Sequence, residues 1–141
     1  MTVYLDTSVL AGFFIRADTF ASRAKSFFAG IHEVPLVSDF VAAEFSSVIA
    51  RLVRMRKFTA EEARATFALF DNWRTQSADD TDALPDDIRL ADTIIRRLDL
   101  NIRAPDAINL AIALRLDATV ATFDSRMAEN ARTLGIAVAA A

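Results

Sequence analysis

The segment VYLDTSVL, residues 3–10, gives the first indication of the fold. Its apolar start predicts a short buried strand, which we place at residues 2–6. Asp6, Thr7 and Ser8 then interrupt the apolar residues. An acid at the end of a buried first strand has no structural need to be there. The segment therefore indicates both a core strand and a candidate functional site at its carboxyl end.

Outward from this segment, helical patterns alternate with short apolar strands. We predict helices at residues 8–15, 19–30, 39–57, 59–75, 86–98, 105–116 and 125–135, and further strands at 35–38, 118–123 and 136–139. Such alternation implies a parallel sheet covered by helices on both faces. The predicted fold class is α/β, with more helix than strand, in a single domain spanning residues 1–141.

Local signals set the predicted helix ends. They are a cap at Ser38 or Asp39, a capping-box spacing from Thr59 to Glu62, a start at Asp86 or Asp87, a first-turn Pro105, a cap at Ser125, and terminal glycines at Gly30 and Gly135.

Composition limits the classes of protein to consider. Apolar residues make up 53% of the 141 residues, so a folded core is expected. No apolar run reaches the roughly 18 residues that a membrane span needs, and the N-terminus does not resemble a signal peptide. The chain has no cysteine, which excludes disulfides and thiolate ligands and suits a cytoplasmic location. The net charge of −3 argues at first against a nucleic-acid partner.

Four acids occupy comparable places along the predicted sheet. Asp6 and Asp124 end strands, whereas Glu44 and Asp106 lie near the starts of helices. In a parallel α/β sheet these positions share one edge, where ligands bind. The helical phase of Glu44 puts it at the border of an apolar face, and the Asp106 helix is apolar nearly all round. We therefore expect the four carboxylates to meet in one crevice.

Clustered carboxylates raise one another's pKa unless a cation neutralises them. Hard oxygen ligands suit Mg²⁺ or Mn²⁺, and such an ion can activate water and stabilise charge on a phosphoryl oxygen. The hydroxyls of Thr7 and Ser8 can orient a carboxylate or a nearby water molecule. The four acids are thus the candidate catalytic residues, and Asp6 and Asp106 are the foremost candidate metal ligands.

Each acid also has a simpler explanation when it is taken alone. Asp106 suits the helix dipole, Asp124 suits a helix cap, and Glu44 could pair with an arginine. Other chemistries are excluded more firmly. His32 is the only histidine, which rules out a catalytic triad and a two-histidine zinc site within this chain, and we expect it at the surface. The three glycines form no phosphate-binding loop, and Ser8 stands where an aspartyl phosphatase would have an acid or threonine.

The order of four segments, YLDTSVL, VAAEFSSVI, PDAINLAIAL and ATFDSRMAENARTLGI, resembles that of a PIN domain, and more narrowly the VapC-type toxins of toxin–antitoxin pairs. The resemblance implies a PIN-like α/β/α fold and an endoribonuclease that uses Mg²⁺ or Mn²⁺ to cut single-stranded RNA. It assigns the acidic quartet to Asp6, Glu44, Asp106 and Asp124, and supporting hydroxyls to Thr7, Ser8 and Thr122. It also implies a homodimer, and an antitoxin that inserts a peptide with an Arg or Lys into the active-site groove.

One segment departs from the family pattern. Relatives commonly have an apolar strand before the helix at residues 87–98, whereas this chain has QSADDTDALP at residues 76–85. That composition is acidic and poor in strand formers. The strand is therefore expected to be short, at a sheet edge, or missing.

Basic residues provide a candidate RNA-binding surface. With four of the 19 acids assigned to the site, the remaining 15 nearly balance the 16 Lys and Arg. One basic group comprises Arg51, Arg54, Arg56 and Lys57, and a second comprises Arg96, Arg97 and Arg103. Either group could hold an RNA backbone, although a helix end attracts basic residues through its dipole alone. The 11 Phe are expected mainly in the core, with a dimer or antitoxin face as the other use.

The sequence therefore predicts a metal-dependent ribonuclease in which Glu44 or Asp124 accepts the proton from water. A non-catalytic PIN-like module, whose acids capture a basic partner peptide, is the main alternative. A nuclease acting on DNA or structured RNA is a third.

Overall fold

The computed structural model describes residues 1–139, which leaves the last two residues of the predicted domain outside the described part. Within these residues five strands form one sheet: β1 (Val3–Leu5), β2 (Leu36–Ser38), β3 (Asp79–Thr81), β4 (Thr119–Ala121) and β5 (Val138–Ala139). All pairs are parallel, in the order β3-β2-β1-β4-β5. The predicted parallel α/β architecture is confirmed.

Seven helices within residues 1–139 flank this sheet. They are α1 (Thr7–Phe14), α2 (Ala21–Gly30), α3 (Asp39–Arg54), α4 (Ala60–Ser77), α5 (Pro85–Arg96), α6 (Ala104–Arg115) and α7 (Ser125–Thr133). Every predicted helix is present, with ends that differ by a few residues. None of them is both long enough and apolar enough to cross a membrane.

The strand order places a topological switch point at the centre of the sheet. From β1 the chain moves outward to β2 and β3, and it then returns to the other side of β1 to form β4. In open α/β sheets the crevice for ligands lies beyond the carboxyl ends of the strands at such a point. Asp6 follows β1 and Asp124 follows β4 closely, so both lie beside this crevice.

An aromatic cluster holds α1, α3 and α4 together. The ring of Phe14 lies 5.8 Å from that of Phe45 and 5.5 Å from that of Phe70, and the last two rings are 4.7 Å apart. Burying such rings is a large apolar contribution to stability. The cluster fixes α1, which starts at Thr7, against α3, which carries Glu44.

Three predicted helix ends were wrong. Helix α5 was expected to reach Leu98 but ends at Arg96, and Leu98 adopts a left-handed φ of 65°. Residue Arg56 adopts a left-handed φ of 58°, so α3 ends at Arg54 and does not reach Lys57. The predicted cap at Ser125 is also incorrect, because Asp124 is the N-cap of α7. The correction at Asp124 bears on the candidate site, because its carboxylate accepts hydrogen bonds from the first turn of α7.

Two further helix starts lie one residue or more before their predicted positions. Helix α5 begins at Pro85, where the backbone N–H of Leu84 donates to the carboxylate of Asp87 at 2.7 Å. Helix α6 begins at Ala104, so Pro105 is its second residue. Both differences are local and leave the helices in place.

The acidic segment at residues 76–85 forms a short strand at the sheet edge. Its strand β3 pairs in parallel with β2, opposite Leu36 to Ser38. An ion pair supports it, because Arg74 Nε lies 2.6 Å from Asp80 Oδ1 while its Nη2 lies 3.0 Å from Asp39 Oδ1. An edge strand has one free side and needs fewer apolar residues, which explains its unusual composition.

Helices α5 and α6 pack closely through small residues. Ala91, Ala107 and Ala111 are buried between them. A bidentate ion pair joins the two helices, with Arg115 Nε 2.8 Å from Asp87 Oδ1 and Arg115 Nη2 3.0 Å from Asp87 Oδ2. This packing fixes the N-terminal turn of α6, which carries Asp106.

Candidate active site

Asp6 is a buried carboxylate at the carboxyl end of β1, with 6% of its surface exposed. Its Oδ2 accepts hydrogen bonds from Thr122 Oγ1 at 2.7 Å and from Ser8 Oγ at 2.9 Å. The two hydroxyls come from opposite ends of the sequence and meet here because β1 and β4 are neighbours. They fix the orientation of the carboxylate.

The same hydroxyls shape the loop that leads into α7. The backbone N–H of Phe123 donates to Ser8 Oγ at 3.0 Å, and that of Asp124 donates to Thr122 Oγ1 at 3.0 Å. Because Ser8 and Thr122 also donate to Asp6, these bonds fix the start of α7, and with it Asp124, relative to Asp6.

Glu44 lies on α3 and is half-buried, at the border of the apolar face as its phase predicts. Its Oε1 accepts a hydrogen bond from Asn109 Nδ2 at 2.6 Å and another from Thr7 Oγ1 at 3.2 Å. Ser8 therefore donates to Asp6, whereas the neighbouring Thr7 donates to Glu44.

Asn109 was missed by the sequence analysis. It is fully buried on α6, and its Oδ1 accepts a hydrogen bond from Tyr4 Oη at 2.5 Å. Tyr4 Oη also lies 2.7 Å from Ser38 Oγ, which in turn caps α3 by accepting from the N–H of Val41. A polar residue in the apolar stretch INLAIAL was the available signal, because a buried amide requires partners.

Asp106 lies in the first turn of α6 and is half-buried. Within residues 1–139 its carboxylate has no hydrogen-bond or ion-pair partner. Burial, followed by the negative charges of Asp6 and Asp124, raises its pKa from 3.8 to about 6. The charges of Arg126 and Arg103 oppose this rise.

Asp124 is exposed and caps α7. Its Oδ1 accepts the backbone N–H groups of Arg126 at 2.9 Å and Met127 at 3.2 Å. Asp124 is therefore a helix cap, as the simpler explanation of this acid proposed. Its charge nevertheless acts on the pKa of both Asp6 and Asp106.

The four acids influence one another electrostatically. Burial raises the pKa of Asp6, and the charge of Asp124 adds to the rise, whereas hydrogen bonds from Thr122 and Ser8 oppose it. Burial likewise raises the pKa of Glu44, with contributions from Asp6 and Asp106. Repulsion of this kind favours a bound cation.

A comparison of the sequence with known protein families gives a match over most of the chain. Residues 3–133 match the family described as PIN domain. The chain belongs to the PIN domain family.

Solved structures share the fold of this PIN domain at low sequence identity. Mycobacterium tuberculosis VapC20, described as a Sarcin-Ricin loop cleaving toxin, has 20% identity and a TM-score of 0.74, over 91% of this chain and 94% of that one. VapBC2 from Rickettsia felis, bound to a DNA fragment from its promoter, has 15% identity and a TM-score of 0.70, over 99% and 98%. A toxin–antitoxin complex from Klebsiella pneumoniae has 17% identity and a TM-score of 0.64, over 99% and 98%. No curated protein sequence gives a significant match.

The candidate ligand atoms of the PIN domain are carboxylate oxygens, which suit a hard divalent cation. Asp6 is oriented by hydroxyls, and Asp106 has no other partner in the described chain. Across residues 1–139, however, no three acidic or histidine side chains are close enough together to form a ready-made metal cage. One oxygen each of Glu44 and Asp124 is held by neighbouring hydrogen bonds, so these two acids retain only one oxygen for a cation.

The basic residues predicted to bind RNA lie in different places on the PIN domain. Arg51 and Arg54 line a groove that also contains Thr7 and Glu44. Lys57 lines a separate cavity, and Arg56 follows the end of α3.

The second basic group is divided as well. Arg96 pairs with Asp92 and Arg97 pairs with Asp99, which leaves Arg103 near Asp106. His32 is exposed, as predicted.

Proposed function

We propose that this PIN domain is an endoribonuclease that requires Mg²⁺ or Mn²⁺ and cleaves single-stranded RNA. One observation carries the proposal. Acids from the end of β1, from α3, from α6 and from the start of α7 lie near the carboxyl edge of the sheet, where burial and the charges of neighbouring acids raise the pKa of Asp6, Glu44 and Asp106. A group of acids held against their own repulsion at a ligand-binding edge is costly for stability and is explained by a cation and its substrate.

Asp6 and Asp106 would hold the cation, with Glu44 and Asp124 contributing one free oxygen each. A divalent ion bound there would supply activation of water and stabilisation of negative charge on a phosphoryl oxygen. The donor chemistry supports this role, because carboxylate oxygens are the ligands that Mg²⁺ and Mn²⁺ prefer.

The side chains of the protein have separate tasks in this scheme. Ser8 and Thr122 hold the Asp6 carboxylate in one orientation. Glu44 and Asp124 are the two candidates to accept the proton from the attacking water. Glu44 has a pKa raised by burial, which brings it closer to the working pH of a general base.

We further propose that the protein acts as the toxin of a toxin–antitoxin pair. The fold is shared with a Sarcin-Ricin loop cleaving toxin and with a toxin–antitoxin complex. An RNA substrate, an antitoxin partner, a homodimer and a cytoplasmic location all follow from this proposal.

Titration of the purified protein with Mn²⁺ tests the function. We expect a gain in thermal stability together with cutting of single-stranded RNA, and loss of cutting in chelator. Cleavage at the same rate in chelator would contradict the proposal. A stability gain without any cutting would favour the non-catalytic module that captures a basic peptide. Parallel assays with single-stranded DNA and structured RNA identify the substrate class.

A further inference from the structure

A groove runs along one face of α3, starting at the acidic site. Its cavity volume is about 360 Å³, and it is lined among others by Thr7, Phe40, Glu44, Ser47, Arg51 and Arg54. The five residues from α3 are spaced by four and three positions alternately, which places them on one helix face. The groove therefore connects Glu44, one of the four acids, to the C-terminal end of α3.

The arginines in this groove carry free charges. Five other arginines of the described chain pair with carboxylates, namely Arg74, Arg89, Arg96, Arg97 and Arg115. Arg51 and Arg54 are exposed and have no ion-pair partner within residues 1–139. At a helix rise of 1.5 Å per residue, they lie about 10 Å and about 15 Å from Glu44 along the α3 axis.

We infer that this groove binds the backbone of single-stranded RNA leading to the acidic site, with Arg51 and Arg54 contacting phosphates. The inference rests on the proposed ribonuclease function and deepens it by assigning the path of the substrate. Guanidinium groups match the geometry of phosphate oxygens. Phe40 is partly exposed in the same groove and offers a ring on which a base can stack.

The charges favour RNA over a peptide as the occupant of the groove. A basic peptide that satisfies Glu44 would meet repulsion from Arg51 and Arg54 further along. The arginines attract a phosphate backbone. The acids at the other end of the groove repel it, and a cation bound to the acids would cancel that repulsion. The groove also combines positive charge with an aromatic ring, which is the combination used by proteins that bind single strands.

Arg56 and Lys57 provide a matched control. They lie within three residues of Arg54 and are exposed, but they do not line the groove. The double variants Arg51→Gln/Arg54→Gln and Arg56→Gln/Lys57→Gln each remove two positive charges from the same end of α3. A general effect of net charge would be equal in both.

The experiment measures the affinity of the full chain for a fluorescent single-stranded oligoribonucleotide in Mg²⁺. Every protein carries Asp6→Asn so that the probe stays uncut. We expect Arg51→Gln/Arg54→Gln to reduce the slope of log affinity against log salt by about 1.4, which is about 0.7 for each lost phosphate contact. The affinity at physiological salt should fall roughly tenfold, whereas the Arg56/Lys57 control keeps its slope.

A third variant tests the stacking surface. Phe40→Leu keeps an apolar side chain against the core, and we expect a roughly tenfold loss of affinity with an unchanged salt slope. Equal slopes in the two arginine double variants would overturn the inference. A loss of peptide-partner binding in Arg51→Gln/Arg54→Gln, with RNA affinity intact, would also overturn it.

The inference and the proposed function fail separately. RNA binding that depends on Arg51 and Arg54, in a wild-type protein that never cuts, would support the groove and refute the nuclease. RNA cutting with an unchanged KM in Arg51→Gln/Arg54→Gln would support the nuclease and refute the groove.

Discussion

Asn109 Nδ2 lies 2.6 Å from Glu44 Oε1, although the two residues come from different helices. The same amide accepts a hydrogen bond from Tyr4 in the central strand. A buried side chain therefore connects the middle of the sheet to a candidate catalytic acid. Because Asn109 is fully buried, its amide has little freedom to move, and the position of Glu44 depends on the packing of α6.

Replacing Asn109 with leucine tests this connection. The variant keeps the branching and the number of side-chain heavy atoms but removes one donor from Glu44 and one acceptor from Tyr4. We expect the free energy of unfolding to fall by about 1–3 kcal/mol, as for a buried polar group that loses its partner, and RNA cleavage to slow. Urea unfolding and cleavage rates measure the two effects.

Thr7→Val is the control for this variant, because Thr7 donates to Glu44, whereas the Tyr4 hydroxyl bonds to Ser38 and Asn109. We expect slower cleavage with a stability change below about 1 kcal/mol, since Thr7 is partly exposed. Full activity in Asn109→Leu would show that the position of Glu44 does not depend on the amide.

The substitution Asp106→Asn tests the metal site. This carboxylate has no other partner in the described chain, so the fold should remain intact while metal-dependent cleavage is lost. A ligand that binds only the native state raises its stability in proportion to the logarithm of the ligand concentration. We therefore expect Mn²⁺ to raise the Tm of the wild type and to have much less effect on Asp106→Asn. Asp71→Asn, an exposed acid on α4, should respond like the wild type.

Asp6→Asn should likewise abolish cleavage, because Asp6 is the most deeply buried of the four acids. The asparagine can still accept hydrogen bonds from Ser8 and Thr122 through its amide oxygen, so circular dichroism should report an intact fold. An Asp6→Asn protein that cuts RNA at the wild-type rate would remove this residue from the catalytic scheme.

The stability of the metal-free protein should depend on pH through Asp106. Its pKa is about 6 in the folded chain, above its ordinary value of 3.8. A group with a raised folded-state pKa contributes stability below its unfolded pKa, and that contribution is lost as the pH rises through the folded value. The Tm of Asp106→Asn should therefore exceed that of the wild type by an amount that grows between about pH 4 and about pH 7. A difference that shrinks over this range would contradict the assigned repulsion.

The sequence was sufficient to predict the sheet class and the edge at which the acids lie. Position alone predicted this edge, because Asp6 follows a buried strand and Asp106 opens an apolar helix. Both statements depend on local patterns, namely the alternation of strands and helices and the polar interruption after Leu5. Such patterns are determined by backbone geometry and burial, which act over a few residues.

The long-range contacts were not predictable in the same way. The hydrogen bond from Thr122 to Asp6 joins residues 116 positions apart and depends on the pairing of β1 with β4. The division of the basic residues between two surfaces depends on where α3 ends, and the left-handed Arg56 ends it earlier than propensity suggested. Sequence patterns do not determine these tertiary contacts.

The ion pair between Arg115 and Asp87 should matter for stability and not for catalysis. Asp87 is 2% exposed, and Arg115 holds its pKa below the ordinary range despite burial. Arg115→Met would leave a buried carboxylate without its ion-pair partner and with the Leu84 N–H as its remaining donor, and we expect the free energy of unfolding to fall by about 3 kcal/mol. Asp87 stabilises the folded protein only in its charged form. The wild type should therefore lose this contribution to its stability as the pH falls through the lowered pKa of Asp87.

The exposed pair between Arg96 and Asp92 on α5 is the control for this prediction. Arg96→Met should change the free energy of unfolding by less than about 1 kcal/mol, because water screens exposed charges. Neither variant touches the acidic edge, so both should keep their RNA cleavage at temperatures where they are folded. Equal losses of stability in the two variants would mean that the burial of Asp87 does not strengthen its ion pair. A loss of cleavage in folded Arg115→Met would mean that the contact between α5 and α6 is needed for catalysis.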